Sequence, residues 1–246
     1  MELQKPVYRR FESDRPHTSQ PRKLPGSSPS KPESGEGSGG TDTRRLNRSF
    51  FERPTPRVAK ELLGTLLVRV IDTERLTGMI VETEAYRGAD DPASHAYRGR
   101  TVRNSVMFGE GGHAYVYFSY GFHWCLNVST EQSGTAGAVL IRAIEPIGGT
   151  ERMRQNRGLQ TDVHLTDGPG RLTRALEVGS AFNGEDLVAS KRLFIERWRK
   201  PCAICSGPRV GIAKGLDRRW RFRIEGNHFV SRGFRSLVQN PLARNP

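Results

Sequence analysis

The chain has 246 residues, with 39 Lys or Arg against 26 Asp or Glu; a formal charge of +13 favours a polyanion-binding surface, with solubility or compositional bias as the alternative. No apolar run approaches the roughly 20 residues of a membrane span, and three cysteines form no even disulfide framework, so a soluble protein of a reducing, intracellular compartment is expected. Glu2, Glu12 and Asp14, with no apolar leader beside them, argue against secretory or organellar targeting.

Residues 1–45 read as a disordered tail or linker. Between Pro25 and Gly40, "PGSSPSKPESGEGSGG" has 13 Pro, Gly or Ser in 16 residues, too little apolar surface to offset ordering entropy. That tail holds nine basic and six acidic residues, so +10 of the charge falls on the remainder. Residues 46–233 are expected to fold as one domain, with a frayed end over 234–246.

Within the domain, Thr55 is a candidate N-cap with Pro56 at the first helical position; Val58, Ala59, Leu62 and Leu63 form the apolar face and Gly64 the stop. Strands are predicted over 66–71 and 78–85. "HAYVYFSY" and "HWCLNVST" flank Gly121-Phe122, a two-residue connection that predicts a hairpin, and "AGAVLIRAIEP" supplies the next strand. Helices follow over 149–157 and 168–178, then strands over 193–196, 209–212 and 221–224. Hairpins with few alternating β-α-β units predict an α+β fold.

Several side chains in this pattern have chemical potential. Tyr115 and Tyr117 share one strand face, as do His123, Cys125 and Asn127 on the returning strand. Asn127 is suited either to reading a base edge or to tying two strands together. Tyr120 sits at the hairpin tip, either as a wedge between base steps or folded back on its own hairpin. Glu82 and Glu84 in "IVETEAY" share a face, where two carboxylates resist joint ionisation unless a cation joins them. Arg142, inside the apolar "VLIRAIEP", is that cation, in a catalytic or a structural ion pair. Cys202-x-x-Cys205 provides two of the four ligands a structural zinc needs, so no metal site is expected.

"VETEAY", "SYGFHWCLN" and "VLIRAIEP", in that order, resemble the alkyladenine (3-methyladenine) DNA glycosylase family of the mammalian type, from about Arg45 to Ser231. The resemblance implies a compact single domain around a curved antiparallel sheet with surrounding helices and a protruding β-hairpin. It implies Glu84 as the base that activates water and Arg142 as the residue that helps position that water. Tyr86 and His95 would stack on one side of an extruded base and Tyr117 on the other, Asn127 would crowd the exocyclic amine of guanine, and Tyr120 would fill the gap left in the duplex. Phe122 and His123 depart from the family's usual methionine and aromatic, and "PCAICSGPRVGIAKGLDRRW" matches more loosely.

The implied partner is double-stranded DNA with damaged purines, the protein a monomer associated with the cell's DNA, with no cofactor and no membrane. Arg103, Gly168, Arg171 and Arg174 are candidate contacts to the DNA backbone; the glycine-rich helix start is alternatively only solvated. Lysines between residues 46 and 233 are Lys60, Lys191, Lys200 and Lys214, none in the motif segments, so hydrolysis without a covalent imine is expected. A non-catalytic nucleic-acid-binding module and an RNA- or nucleoside-directed hydrolase are the alternative readings.

Overall fold

The computed structural model describes residues 44–231, so the expected tail and frayed end lie almost wholly outside the described residues. Two short helices open it, α1 (Arg48–Phe51) and α2 (Thr55–Glu61). The cap of α2 differs from the sequence expectation. Pro54 is the N-cap, Thr55 is the first helical residue and Pro56 the second, because the carboxylate of Glu131 accepts both the Thr55 amide, at 2.7 Å, and its hydroxyl, at 2.8 Å. A carboxylate from a distant loop thus does the work of a local cap.

β1 (Leu66–Ile71) turns at Asp72 into the 14-residue β2 (Glu74–Arg87). The hairpin β3 (Ala114–Ser119) and β4 (His123–Ser129) follows, then β5 (Gly137–Gly148). Helices α3 (Thr150–Arg157) and α4 (Pro169–Ala175) precede β6 (Leu193–Glu196), β7 (Ile204–Gly207) and β8 (Arg221–Ile224). The expected strand over 209–212 is absent: the strand partner of β8 is β7, and residues 209–211 are irregular. Their polar groups are engaged by side chains from β2 and the loop after it rather than by a ladder.

The strands form one antiparallel sheet in the order β3-β4-β5-β2-β1-β6, with β8 joining β2 and β7 joining β8. The sheet curls, giving the α+β fold read from the sequence. Leu67, Ile80, Leu126, Ile141 and Ile144 are fully buried in its main core, each stabilising by roughly 1.5–3 kcal/mol. β2 is long enough to change neighbours along one edge: its first half pairs with β1, and Glu82–Glu84 pair with β8, while β5 runs along the other edge.

The register between β2 and β5 is broken where it matters most. Glu82 pairs with Ala143 and Thr83 with Ile141, so Arg142 is left out of the pairing. Such a bulge bends a strand and re-aims the unpaired side chain. Here it brings the guanidinium of Arg142 to the face that carries Glu82 and Glu84.

Candidate active site

Glu84 sits on β2 between two strands, and its side chain is fully buried. Oε2 accepts the Tyr86 hydroxyl at 2.7 Å and Arg142 Nη1 at 3.3 Å; Oε1 accepts the Val210 amide at 2.8 Å. An ionised carboxylate offers about four lone-pair sites. Three are taken, so one remains for a further donor such as water. Tyr86, Arg142 and Val210, the three residues bonded to Glu84, all line one cavity of about 1090 Å³, so the buried carboxylate lies immediately behind that lining.

Arg142 is held from both sides, with Nε on Glu82 Oε1 at 3.3 Å and Nη1 on Glu84. Burial alone would lower the pKa of its guanidinium, but Glu84 and then Glu82 raise it above the ordinary arginine value. Glu82 is itself engaged by Arg221 Nε at 2.5 Å and by the Ser231 amide at 2.7 Å. Two carboxylates and two guanidinium groups therefore interlock in the interior, which satisfies the requirement that buried charges be paired.

The cavity walls are aromatic. His95 meets Tyr117 edge-on with centroids 4.6 Å apart, and Tyr115 lies 5.3 Å from Tyr117. His95 Nδ1 and the Tyr115 hydroxyl are 2.9 Å apart. This corrects the expected placement of Tyr117 across a base from His95. Rings in contact leave no room for a third between them, so His95 and Tyr117 form a single wall. Tyr86 has no ring contact with either among the described residues, and the Arg209 guanidinium covers one of its faces at 4.7 Å.

Burial, and then the charge of Arg103, holds the His95 imidazole below its usual value, while burial pushes the Tyr115 hydroxyl up to about 12 and that of Tyr117 higher still. The wall is thus neutral and electron-rich at neutral pH.

Asn127 lines the cavity and also realises the strand-tying alternative, for its Nδ2 donates to the Tyr115 carbonyl at 3.0 Å. That bond fixes the orientation of the amide. Tyr120 occupies the hairpin tip and is 83% exposed, so it does not fold back. The turn is one residue longer than expected. Phe122 donates to the Ser119 carbonyl at 3.0 Å, and Tyr120 and Gly121 both have positive φ, 48° and 73°. Two such residues in succession match the twist of a hairpin, but the left-handed region is unfavourable for a bulky side chain.

Arg103, Gly168, Arg171 and Arg174 all border the same cavity, joined by Arg157 at the end of α3. Asp167 holds Arg171 at 2.7 Å. Every site residue predicted from the sequence is therefore in or immediately behind one hollow. Sequence reasoning missed Val210, whose contribution is a main-chain N–H that no residue type announces, and Arg157, which looked like any basic residue at a helix end. No group of His, Cys, Asp or Glu suited to a metal occurs among the described residues.

Comparison with known proteins agrees with this geometry. Residues 49–228 match the family model described as methylpurine-DNA glycosylase. The chain is 50% identical over 191 residues to a Rhodopseudomonas palustris protein, covering 77% of this chain and 92% of that one. It is 48% identical over 190 residues to a Chlorobium phaeobacteroides protein (76% and 95%) and 47% identical over 190 residues to a Burkholderia lata protein (76% and 90%). All three bear the name "Putative 3-methyladenine DNA glycosylase". With the matched region spanning nearly the whole described domain, the chain belongs to the methylpurine-DNA glycosylase family.

Proposed function

We propose that this protein excises damaged purines from double-stranded DNA by hydrolysing the N-glycosidic bond, with 3-methyladenine the leading substrate and 7-methylguanine, hypoxanthine and ethenoadenine in the same class. The observation that carries this reading is the buried carboxylate of Glu84, with one open acceptor site, directly behind a cavity walled by Tyr86, His95 and Tyr117.

A base inside a duplex is out of reach and must be extruded, at a cost of a few kcal/mol that is smaller for damaged pairs. Tyr120 fills the vacated space from the hairpin tip. The extruded base enters between the Tyr86 ring and the wall made by His95 and Tyr117, with the Asn127 amide at its edge. An N-alkylated purine is cationic and already a good leaving group, and an electron-rich ring face holds such a cation by about 0.5–2 kcal/mol. As the glycosidic bond breaks, the Glu84 carboxylate offsets the charge growing on the sugar and takes a proton from the water that attacks the anomeric carbon. Arg142, paired with that carboxylate at 3.3 Å, helps hold the water.

Among the described residues no lysine lines the cavity, which supports direct hydrolysis rather than an imine intermediate. Action as a monomer on the cell's DNA belongs to the same reading; no helix of the described residues is long and apolar enough to cross a membrane.

Glu84→Gln tests the reading. Base release from duplexes bearing each lesion, beside RNA equivalents, is expected to be lost while damaged-duplex binding persists. Full activity of that variant, or release from RNA alone, would overturn the proposal; a borohydride-trapped adduct would overturn direct hydrolysis.

A further inference from the structure

Arg209 and Asp91 lie outside the machinery described so far, yet both side chains are fully buried and clasped face to face. Arg209 Nη1 donates to Asp91 Oδ2 at 2.6 Å and Nη2 to Asp91 Oδ1 at 2.7 Å, the two-pronged geometry that only a guanidinium supplies. Nη1 also donates to the Ala85 carbonyl at 2.8 Å, between Glu84 and Tyr86 on β2. The guanidinium plane lies over the Tyr86 ring.

Each end of this clasp belongs to a segment that delivers a part of the site. Asp91 accepts the amides of Arg87 and Ala93, at 3.1 and 3.2 Å, and so shapes the loop that carries His95 four residues on. Arg209 immediately precedes Val210, whose amide holds Glu84 Oε1. Neither of these segments is a strand or helix, so no ladder fixes it. The clasp ties both to β2.

We propose that Arg209, locked by Asp91, is a positioning residue that sets the Val210 amide against Glu84 and the His95 loop against Tyr86, so that the base-holding wall and the reacting carboxylate are placed by a single ion pair. The inference rests on the catalytic reading of Glu84 given above. Arg209 does not line the cavity and acts through Val210, Tyr86 and the loop after β2. A displacement of about 1 Å in reacting groups can cost on the order of 10²-fold in rate.

The experiment is single-turnover release of 3-methyladenine from dimethyl-sulfate-treated duplex DNA by the full chain, with Arg209→Lys, Asp91→Asn and, as control, Glu84→Gln. Lysine keeps the charge but loses the fork; asparagine keeps the shape but loses the charge. Both are expected to lower the maximal rate by on the order of 10²-fold, with the half-saturating enzyme concentration changed by less than about threefold. Gly215→Ala, whose added Cβ would lie 2.9 Å from Arg209 Nη2, leaves both charges in place and is expected to move the rate in the same direction.

Folded Arg209→Lys and Asp91→Asn proteins that release base at the wild-type rate overturn the inference. So does a loss seen only as a smaller active fraction turning over at the wild-type rate, or failure of both variants to fold, since either makes the pair a scaffold and nothing more. An active Glu84→Gln protein would instead sink the catalytic reading, leaving the two failures distinct.

Discussion

The hydroxyl of Tyr86 donates to Oε2 of Glu84 at 2.7 Å, two positions along one face of β2. Burial, then the charge of Glu84 and this hydrogen bond, raise the Tyr86 pKa well above the ordinary tyrosine value, so the proton stays on the phenol. The ring and the hydroxyl therefore have separable tasks. Tyr86→Phe keeps the stacking face and removes a hydrogen bond to a charged group, a loss of about 1.5–3 kcal/mol. Base release should slow by roughly 10–100-fold while damaged-duplex affinity holds; Tyr86→Ala should lose both. Stopped single-turnover assays beside equilibrium binding separate the two effects.

Glu82 should matter more to stability than to binding. It accepts from Arg221, Arg142 and both the amide and hydroxyl of Ser231. Glu82→Gln leaves two buried guanidinium groups short of a charge, and breaking such a buried pair costs about 3–5 kcal/mol. At roughly 2–4 °C per kcal/mol for a domain of this size, thermal unfolding should shift down by roughly 6–20 °C. A shift within experimental error would show that the network is not a stabilising unit.

Tyr120 sets stability against function. Its φ of 48° is left-handed, where a non-glycine residue is disfavoured by about 1–2 kcal/mol. Tyr120→Gly removes that strain, at the cost of a more flexible unfolded chain. Thermal stability should stay level or rise, while base release falls through loss of the wedge. Clear destabilisation would mean the tyrosine supports the hairpin and contradict its assignment as a wedge.

His95 should titrate below its usual value because of burial first and Arg103 second. Between the folded value and the ordinary one, the native state binds fewer protons than the unfolded chain. The contribution of this neutral histidine to stability is therefore intact above the ordinary pKa and is lost as pH falls through that window. Arg103→Ala should raise the His95 pKa part of the way, since burial remains. An NMR titration of the imidazole carbons reads this directly; an unchanged midpoint would remove Arg103 as a cause.

Arg157, Arg171 and Arg174 border the cavity mouth together. Each phosphate they neutralise should add about −0.9 to the slope of log affinity against log salt. Arg174→Ala should weaken binding to damaged and undamaged duplexes alike and flatten the slope by about one. Selective loss of damaged-DNA binding would place Arg174 on the base instead.

How much of this was legible beforehand depends on the range over which each choice is made. The alternation that puts Tyr115 and Tyr117 on one face, the pairing of strands around a glycine-containing tip, and the need of an apolar strand's lone arginine for carboxylates are local or compositional, and a linear chain displays them. Glu82, Glu84 and Arg142 could be grouped from such patterns, while the choice of Glu84 as the base came from the family resemblance. The capping of α2 could not, because the acceptor of the Thr55 amide and hydroxyl, Glu131, is supplied from 76 positions away. Nor could the bulge that turns Arg142 toward Glu82 and Glu84, since register is settled only when two strands meet.

The segment 209–212 shows the same limit most sharply. Its residue types suit a strand, yet its polar groups find Glu84 and Asp91 across the fold, and that tertiary demand outweighs β-propensity. Which rings touch was also decided in three dimensions: His95 arrives on a loop and lands against Tyr117, a contact no spacing encodes. The chemistry on offer was written in residue identities; the placement of each atom relative to the others came from packing, because main-chain donors and buried ion pairs choose partners by distance and not by order along the chain.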